Sequence, residues 1–527
     1  MDFTECYQDT CSAVGLAARE GKIRQVQRLI QKGYSVDVKD NRGWNPLHEA
    51  ANAGSAECVR LLLGAAENCE DYINSFTHDS ETPLYLAAKN GHLRVVKWLI
   101  KGGADMNRET NDMSCPLFAA VDGGHREVVE LLVRSGAEVN GTHSPSGWSC
   151  LHQAVYKGHC DIARFLASKC SLEAVDDYGI TPLFVAAQYG HHKCLEILAD
   201  EGANVNCQAK DLATPLLIAA QEGHLACVGV LLAHNADPNL YCNEAQWQLP
   251  IHAAAQFCRV SILERLIPVT NRECDRGEGK VSPVYLAVLS GQADSLRPLL
   301  KAGYSPDAQS CKQFGYECPL DMALWCNSWS LDNECHQTRE IAQMLLSAGA
   351  TVSLGMYGFA LQGHVPEHLP LILEYAGLPQ GDKLAELVQK ALEEVHSAPY
   401  WLPLLLKAGV DPMLFLHHKM LEDADDVVLN FYLEFINWKT LPSNTLQILS
   451  RRQAEGTWIP RKHFECVPAL SHLCRLAVRE AVGSGIFSKT AFVQELPIPT
   501  LLQNYLQFND IYTAHNPLPC SLLGQQI

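Results

Sequence analysis

At 527 residues and 58.1 kDa the chain is too long for one ordinary hydrophobic core and would fill several domains of roughly 100–200 residues each. Hydrophobic residues make up 47% and charged residues 19%, which excludes a wholly disordered or collagen-like chain. A formal charge of −18 excludes a broad phosphate-binding surface, so nucleic acid is not an expected partner.

The charge is uneven. Residues 440–527 carry seven Lys/Arg and five Asp/Glu, a net of +2, leaving −20 on the first 439. Two regions of different character are therefore expected. The 21 cysteines form no C-x-x-C pair, and Cys194, Cys227 and Cys258 sit among apolar residues. They read as reduced core thiols of a cytoplasmic or nuclear protein. The opening Met1-Asp2-Phe3-Thr4-Glu5 has no basic or apolar leader, and no apolar run reaches ten residues. Neither a signal peptide nor membrane insertion is expected. The sequon Asn140-Gly141-Thr142 is read as unmodified in that compartment.

From the N-terminus a phrase recurs: (T/x)-P-L-(H/F/Y)-x-A-A-x-x-G-H, an apolar helical pattern, then G-A-(D/N)-x-N. Its proline position falls at Pro46, Pro83, Pro116, Cys150 (Pro replaced), Pro182, Pro215, Pro250, Pro283 and Pro319, at spacings of 32 to 37. Residues Thr181 to Asn206 are the clearest copy. Thr181-Pro182 start a helix, since proline suits the first turn. Leu183, Ala186 and Ala187 give it a narrow apolar face, and Gly190 ends it. His191 opens a second helix with Leu195, Ile197 and Leu198 inward, and Gly202-Ala203-Asn204 turns the chain into a hairpin. Neither helix can bury its stripe alone, so neighbours must stack.

An earlier unit, Ala13 to Asp37, lacks the Thr-Pro start and suits an end cap. The tenth carries an insertion, about Asn327 to His336. Beyond Val352 only remnants of second helices are legible, Leu371-Ile372-Leu373 and Leu404-Leu405-Leu406, each before an Ala-Gly. Val427 to Leu441 reads as one helix, apolar on nearly all sides and therefore buried.

The period near 33 is that of the ankyrin repeat, and over about two thirds of the chain the residues resemble that family. The resemblance implies an all-α solenoid of helix pairs with hairpin loops to one side, and no reaction. In that family partners lie on inner helices and hairpin tips. Tyr156, Tyr189 and Phe257, six or seven places after the proline position, would bring aromatic anchors to such a surface, with Trp44 and Trp148 near hairpin tips. The alternative is that these rings pack against the next repeat. His48, His152 and His252 in the P-L-H phrase would tie adjacent hairpins. No cofactor or metal is expected, because no nucleophile with its base, phosphate loop or zinc spacing is present.

Near the C-terminus Pro468 marks a helix start. Leu470, Leu473, Cys474, Ala477 and Val478 then share one face at spacings of 3, 4, 7 and 8. Some twenty residues on, Leu496-Pro497-Ile498-Pro499 holds an extended segment before another short amphipathic helix. In this order the two resemble the halves of a SOCS box, and the whole chain resembles the ankyrin repeat and SOCS box family. The resemblance implies that Leu470, Leu473, Cys474 and Val478 contact elongin C with its partner elongin B. It also implies that Leu496, Pro497, Ile498 and Pro499 select cullin-5 with its RING partner. The expected layout is an array of about ten repeats at 9–352, degenerate repeats and a capping helix at 353–440, the SOCS box region at 441–510, with motifs at 469–478 and 496–499, and a tail at 511–527.

The function so implied is substrate recognition for an elongin–cullin–SOCS-box ubiquitin ligase. The chain, no enzyme itself, would hold an unidentified protein substrate through its repeats for ubiquitination and proteasomal degradation. The rival is a non-catalytic scaffold or inhibitor whose C-terminal helices only cap the solenoid, with Leu470 and Cys474 facing inward.

Overall fold

A computed structural model describes residues 11–241, 248–272, 281–308, 318–325, 335–363, 365, 367–465 and 469–482, with positions 500, 503 and 511 besides. Every regular element among these is helical, and none is long and apolar enough to cross a membrane. The chain forms two compact units, Met1–Arg272 and Glu273–Ile527.

In the first unit each repeat is built by the same local devices. Thr181 caps the helix Pro182–Gln188, its Oγ1 accepting from Phe184 N at 3.2 Å, with Pro182 in the first turn. Thr82 and Thr214 do the same for their helices. Tyr189 ends the helix and Gly190 follows at φ +76°. A Cβ there would be strained and would stand 2.6 Å from the His224 ring, so only glycine fits. The second helix, His192–Asp200, buries Leu195 and Leu198 completely.

Two ladders join repeat to repeat. In four repeats the histidine before the second helix donates from Nε2 to a carbonyl of the preceding repeat: His92 to Asn52 O (2.9 Å), His125 to Lys89 O (3.0 Å), His191 to Tyr156 O (2.9 Å) and His224 to Gln188 O (3.1 Å). At the hairpins the last Asn of G-A-x-x-N accepts the next repeat's backbone N–H. Asn107 takes Glu138 N at 2.9 Å, Asn140 takes Ser171 N at 3.0 Å and Asn206 takes Asp237 N at 2.8 Å. Stability then rests on nearest-neighbour interfaces.

In the second unit, helices Pro283–Leu289 and Ala293–Lys301 form a further pair, followed by Pro319–Trp325 and Cys335–Ser347. Most of the expected insertion, 327–334, lies outside the described residues. Past 352 there are whole helix pairs where only second helices were legible: Leu354–Leu361 with His368–Tyr375, and Asp382–Glu393 before Ala398–Ala408. Their first helices lack the Thr-Pro start; Ser353 caps one instead, its Oγ accepting from Met356 N. Trp401 is fully buried against Phe415.

The single helix expected over Val427 to Leu441 is a correction. The helix Asp426–Leu433 stops, the chain turns, and a short 3-10 segment follows at Trp438–Thr440. Residues apolar on all sides pack on all sides only if the backbone changes direction. The break turns Phe435, Ile436 and Trp438 inward and leaves the Ile436 carbonyl for another partner. Ser443–Ala454 and, past residue 468, Leu470–Val482 complete the described helices.

Candidate partner-binding surfaces

The helix Leu470–Val482 is seated by its polar face. His472 and Arg475, three apart and so on one side, are 8% and 3% exposed. The His472 ring lies 4.9 Å from that of Trp438, and its Nε2 is 3.4 Å from Ile436 O, the carbonyl freed by the helix break. Trp438 in turn packs edge-on to Phe464 at 4.8 Å.

Beneath this seat polar anchors lay residues 455–465 across their neighbours. Arg452, almost fully buried, donates to Leu421 O at 2.7 Å and Thr457 O at 3.0 Å. Asn430 donates to Ile459 O at 3.0 Å and accepts from Trp458 Nε1 at 3.3 Å. Arg461 pairs with Glu434 at 3.1 Å.

With the polar face inward, the described part of the apolar stripe, residues 473–478, faces outward. Cys474 and Ala477 are exposed, Val478 is 39% exposed and Leu473 is half-buried. Leu470 opens the helix. An apolar stripe turned outward is the reverse of ordinary packing and is a candidate interaction surface. Leu496, Pro497, Ile498 and Pro499 lie outside the described residues, as does Pro468.

The aromatic candidates of the repeats separate. Trp148, Tyr156 and Tyr189 form a continuous strip, with ring centroids 5.3 Å apart for the first pair and 4.8 Å for the second, both edge-on. Tyr156 and Tyr189 end successive first helices and keep 36% and 45% of their surface. Trp148 is half-buried, its Nε1 donating to Asp176 at 3.1 Å. Trp44 instead lies half-buried under the Arg42 guanidinium, 4.4 Å away. Phe257 is exposed at the end of Pro250–Gln256. The rings of the strip pack on one another, and Tyr156 and Tyr189 still face solvent.

His48, His152 and His252 are buried at the helix starts, each Nδ1 accepting the backbone N–H three residues back. His152 Nε2 also donates to Ile180 O of the next repeat at 3.0 Å. Burial pushes the pKa of His48 down to about 4.

One cluster escaped the sequence pattern. Cys115, His143 and Cys150, all buried, bring their ligand atoms within 4.8 Å of one another. The adjoining Cys150 thiol pushes the pKa of Cys115 down, against the opposing effect of burial and with help from His143, while Cys150 is pushed up.

Comparison with known proteins agrees with both halves. Four overlapping matches to ankyrin repeats cover 14–110, 103–176, 151–242 and 216–310, and residues 466–507 match the SOCS box. The chain is 46% identical over 513 residues to human ankyrin repeat and SOCS box protein 3, covering 97% of each. This chain belongs to the ankyrin repeat and SOCS box family. The bovine protein of the same name is 45% identical over 515 residues, spanning 97% of this chain and 96% of that one. The ankyrin repeat domain of human ASB11 aligns with a TM-score of 0.39 at 25% identity, over 43% of this chain and 99% of that one. Membership in the ankyrin repeat and SOCS box family supports a substrate-receptor role in a SOCS-box ubiquitin ligase, with elongin and cullin binding of the general SOCS-box kind and no catalysis by the chain itself.

Proposed function

We propose that this chain is the substrate-recognition subunit of an elongin–cullin–SOCS-box ubiquitin ligase. Its repeats hold a protein target for ubiquitination and proteasomal degradation, and its C-terminal module docks elongins B and C and cullin-5. The observation that carries this reading is the outward apolar stripe of Leu470–Val482, with Cys474 and Val478 exposed while His472 and Arg475 are buried. A helix serving only to cap the solenoid would turn that stripe inward. The contribution to catalysis is proximity: a target lysine is held near a ubiquitin-charged thioester at high effective concentration. Trp148, Tyr156 and Tyr189 are the proposed centre of the target surface, since clustered aromatics at one surface have hot-spot composition.

The test is co-expression of the full chain with elongins B and C. Wild type should elute as a stoichiometric complex. Leu470→Ala with Cys474→Arg should weaken it by at least about thirtyfold, about 2 kcal/mol, while the melting temperature of the free chain stays put. An unchanged complex would remove the stripe from the elongin interface. Loss of folding instead of binding would return the cap reading. Pro497→Ala with Pro499→Ala should lower cullin-5 binding and spare elongin binding; retention of cullin-5 would take those prolines out of the reading.

A further inference from the structure

The repeats are regular enough that departures stand out, and three departures meet in one place. The helix Pro116–Asp122 is capped by Cys115, whose Sγ accepts from Phe118 N at 3.3 Å, where other repeats have Thr82, Thr181 and Thr214. The helix Cys150–Tyr156 begins with Cys150 where those repeats have proline. Between them the hairpin is one residue longer: His143 N donates to Trp148 O, five residues on, whereas Asp176 N donates to Ile180 O, only four on. His143 takes the place of Thr110 and Asp176.

These three side chains are 1%, 5% and 0% exposed. Neither ring nitrogen of the buried His143 has a hydrogen-bond partner of good geometry, and the group that faces the ring is the thiol of Cys115, a poor substitute for the partner a buried imidazole needs. The ring's nearest charge is Glu109, with Oε1 3.6 Å from Nδ1. Among the described residues this is the one group of three His, Cys, Asp or Glu side chains whose ligand atoms converge so closely.

We propose that Cys115, His143 and Cys150 bind a zinc(II) ion. Two thiolates and an imidazole are a soft-to-borderline donor set suited to that ion. Zinc held tetrahedrally would bring their ligand atoms to roughly 3.5–3.8 Å apart, a modest closure from the 4.8 Å limit seen here. Glu109 stands where an outer carboxylate commonly orients a ligating imidazole. The protein supplies three ligands, and the fourth position falls to water or a nearby oxygen. Binding displaces the thiol protons and satisfies the imidazole. The ion would staple the long hairpin to the starts of two neighbouring first helices. Trp148, at the end of that hairpin, would be fixed with it.

The substitutions that test this are those the other repeats already carry. Cys115→Thr and Cys150→Pro restore the usual cap and first-turn residue, so the double variant should fold. Full-length chain purified with zinc present and dialysed against buffer should retain about one zinc per chain. Cobalt(II) exchanged into it should show a thiolate-to-cobalt charge-transfer band. The double variant, and His143→Thr separately, should lose at least tenfold in zinc affinity and lose that band, with helicity unchanged. Wild type that retains no zinc would overturn the proposal, as would equal zinc retention by wild type and double variant. Copper(I) held in its place would overturn the metal named, and a Cys115–Cys150 disulfide found by mass spectrometry in the freshly purified chain would overturn the site.

Discussion

The helices His192–Asp200 and Leu470–Val482 are both amphipathic, and they turn opposite faces inward. In the repeat, Leu195 and Leu198 go to zero exposure and the charged residues stay wet. In the C-terminal module His472 and Arg475 go inward, while Cys474, Ala477 and Val478 face solvent. The first arrangement completes its core with its own neighbours. The second leaves apolar residues exposed and is held by polar contacts and ring packing on Trp438. Hydrophobic periodicity alone does not distinguish the two helices, and only the seat beneath them shows which face goes inward.

The largest effect expected from testing this contrast is Leu198→Ala. Removing a fully buried leucine should destabilise the array by about 2–5 kcal/mol. Because each repeat touches only its neighbours, hydrogen exchange should accelerate around residues 150–233, the repeat of Leu198 and the one on either side, and stay unchanged at 470–482. Elongin binding should survive. Uniform loss of protection in both regions would break the distinction.

Acid provides a second lever, with one histidine in each unit. Burial pushes the pKa values of His48 and His368 from 6.5 to about 4. The unfolded chain takes up these protons near pH 6.5 and the folded chain only near 4, so unfolding is favoured as pH falls. Above pH 6.5 neither contributes. Between 6.5 and 4 each should cost up to about 1.4 kcal/mol per pH unit. His48→Gln and His368→Gln should each flatten the fall in melting temperature below pH 6.5. If the units melt separately, each variant should flatten a different transition. An unchanged slope in either variant would show that its histidine is protonated in the fold.

How much of this was legible follows from the same contrast. Where Thr181-Pro182 and Gly190 punctuate the chain, helix starts and stops could be read directly, because capping and positive φ restrict the residue types. After 352 those markers vanish, and the helices Leu354–Leu361 and Asp382–Glu393 went unread although their partners were seen. The stop at Leu433 was invisible for a different reason: Phe435, Ile436 and Trp438 have no polar face to betray a change of direction. At the candidate sites the stripe of Leu470, Cys474 and Val478 was legible as a stripe, but the outward orientation of Cys474 and Val478 depends on His472 and Arg475, which no local pattern marks as buried. Cys115, His143 and Cys150 lie 28 and 7 residues apart and converge only through stacking of two repeats. Their one signal was that Thr and Pro were each replaced by Cys.

A smaller effect tests the local rule itself. Thr181→Ala should cost about 1 kcal/mol by removing the cap on Phe184 N, read as a shift in denaturation midpoint. A cost near zero would mean that stacking, not capping, sets that helix start.

The smallest stability effect expected belongs to the surface of most functional interest. Tyr156 and Tyr189 touch edge-on at 4.8 Å, a contact worth about 0.5–1.5 kcal/mol, while both remain over a third exposed. A double-mutant cycle to alanine should find a coupling no larger than that, and the double variant should leave the elongin complex intact. If the strip is the target surface, proteins captured with the wild-type complex should be lost selectively from the double variant. If the rings serve only to pack, capture should persist and the coupling should exceed the pairwise figure, because the interface with Trp148 would then carry the repeat. The two outcomes differ in sign for binding and in size for stability, so measuring both on one variant separates recognition from packing at the place where this chain combines them.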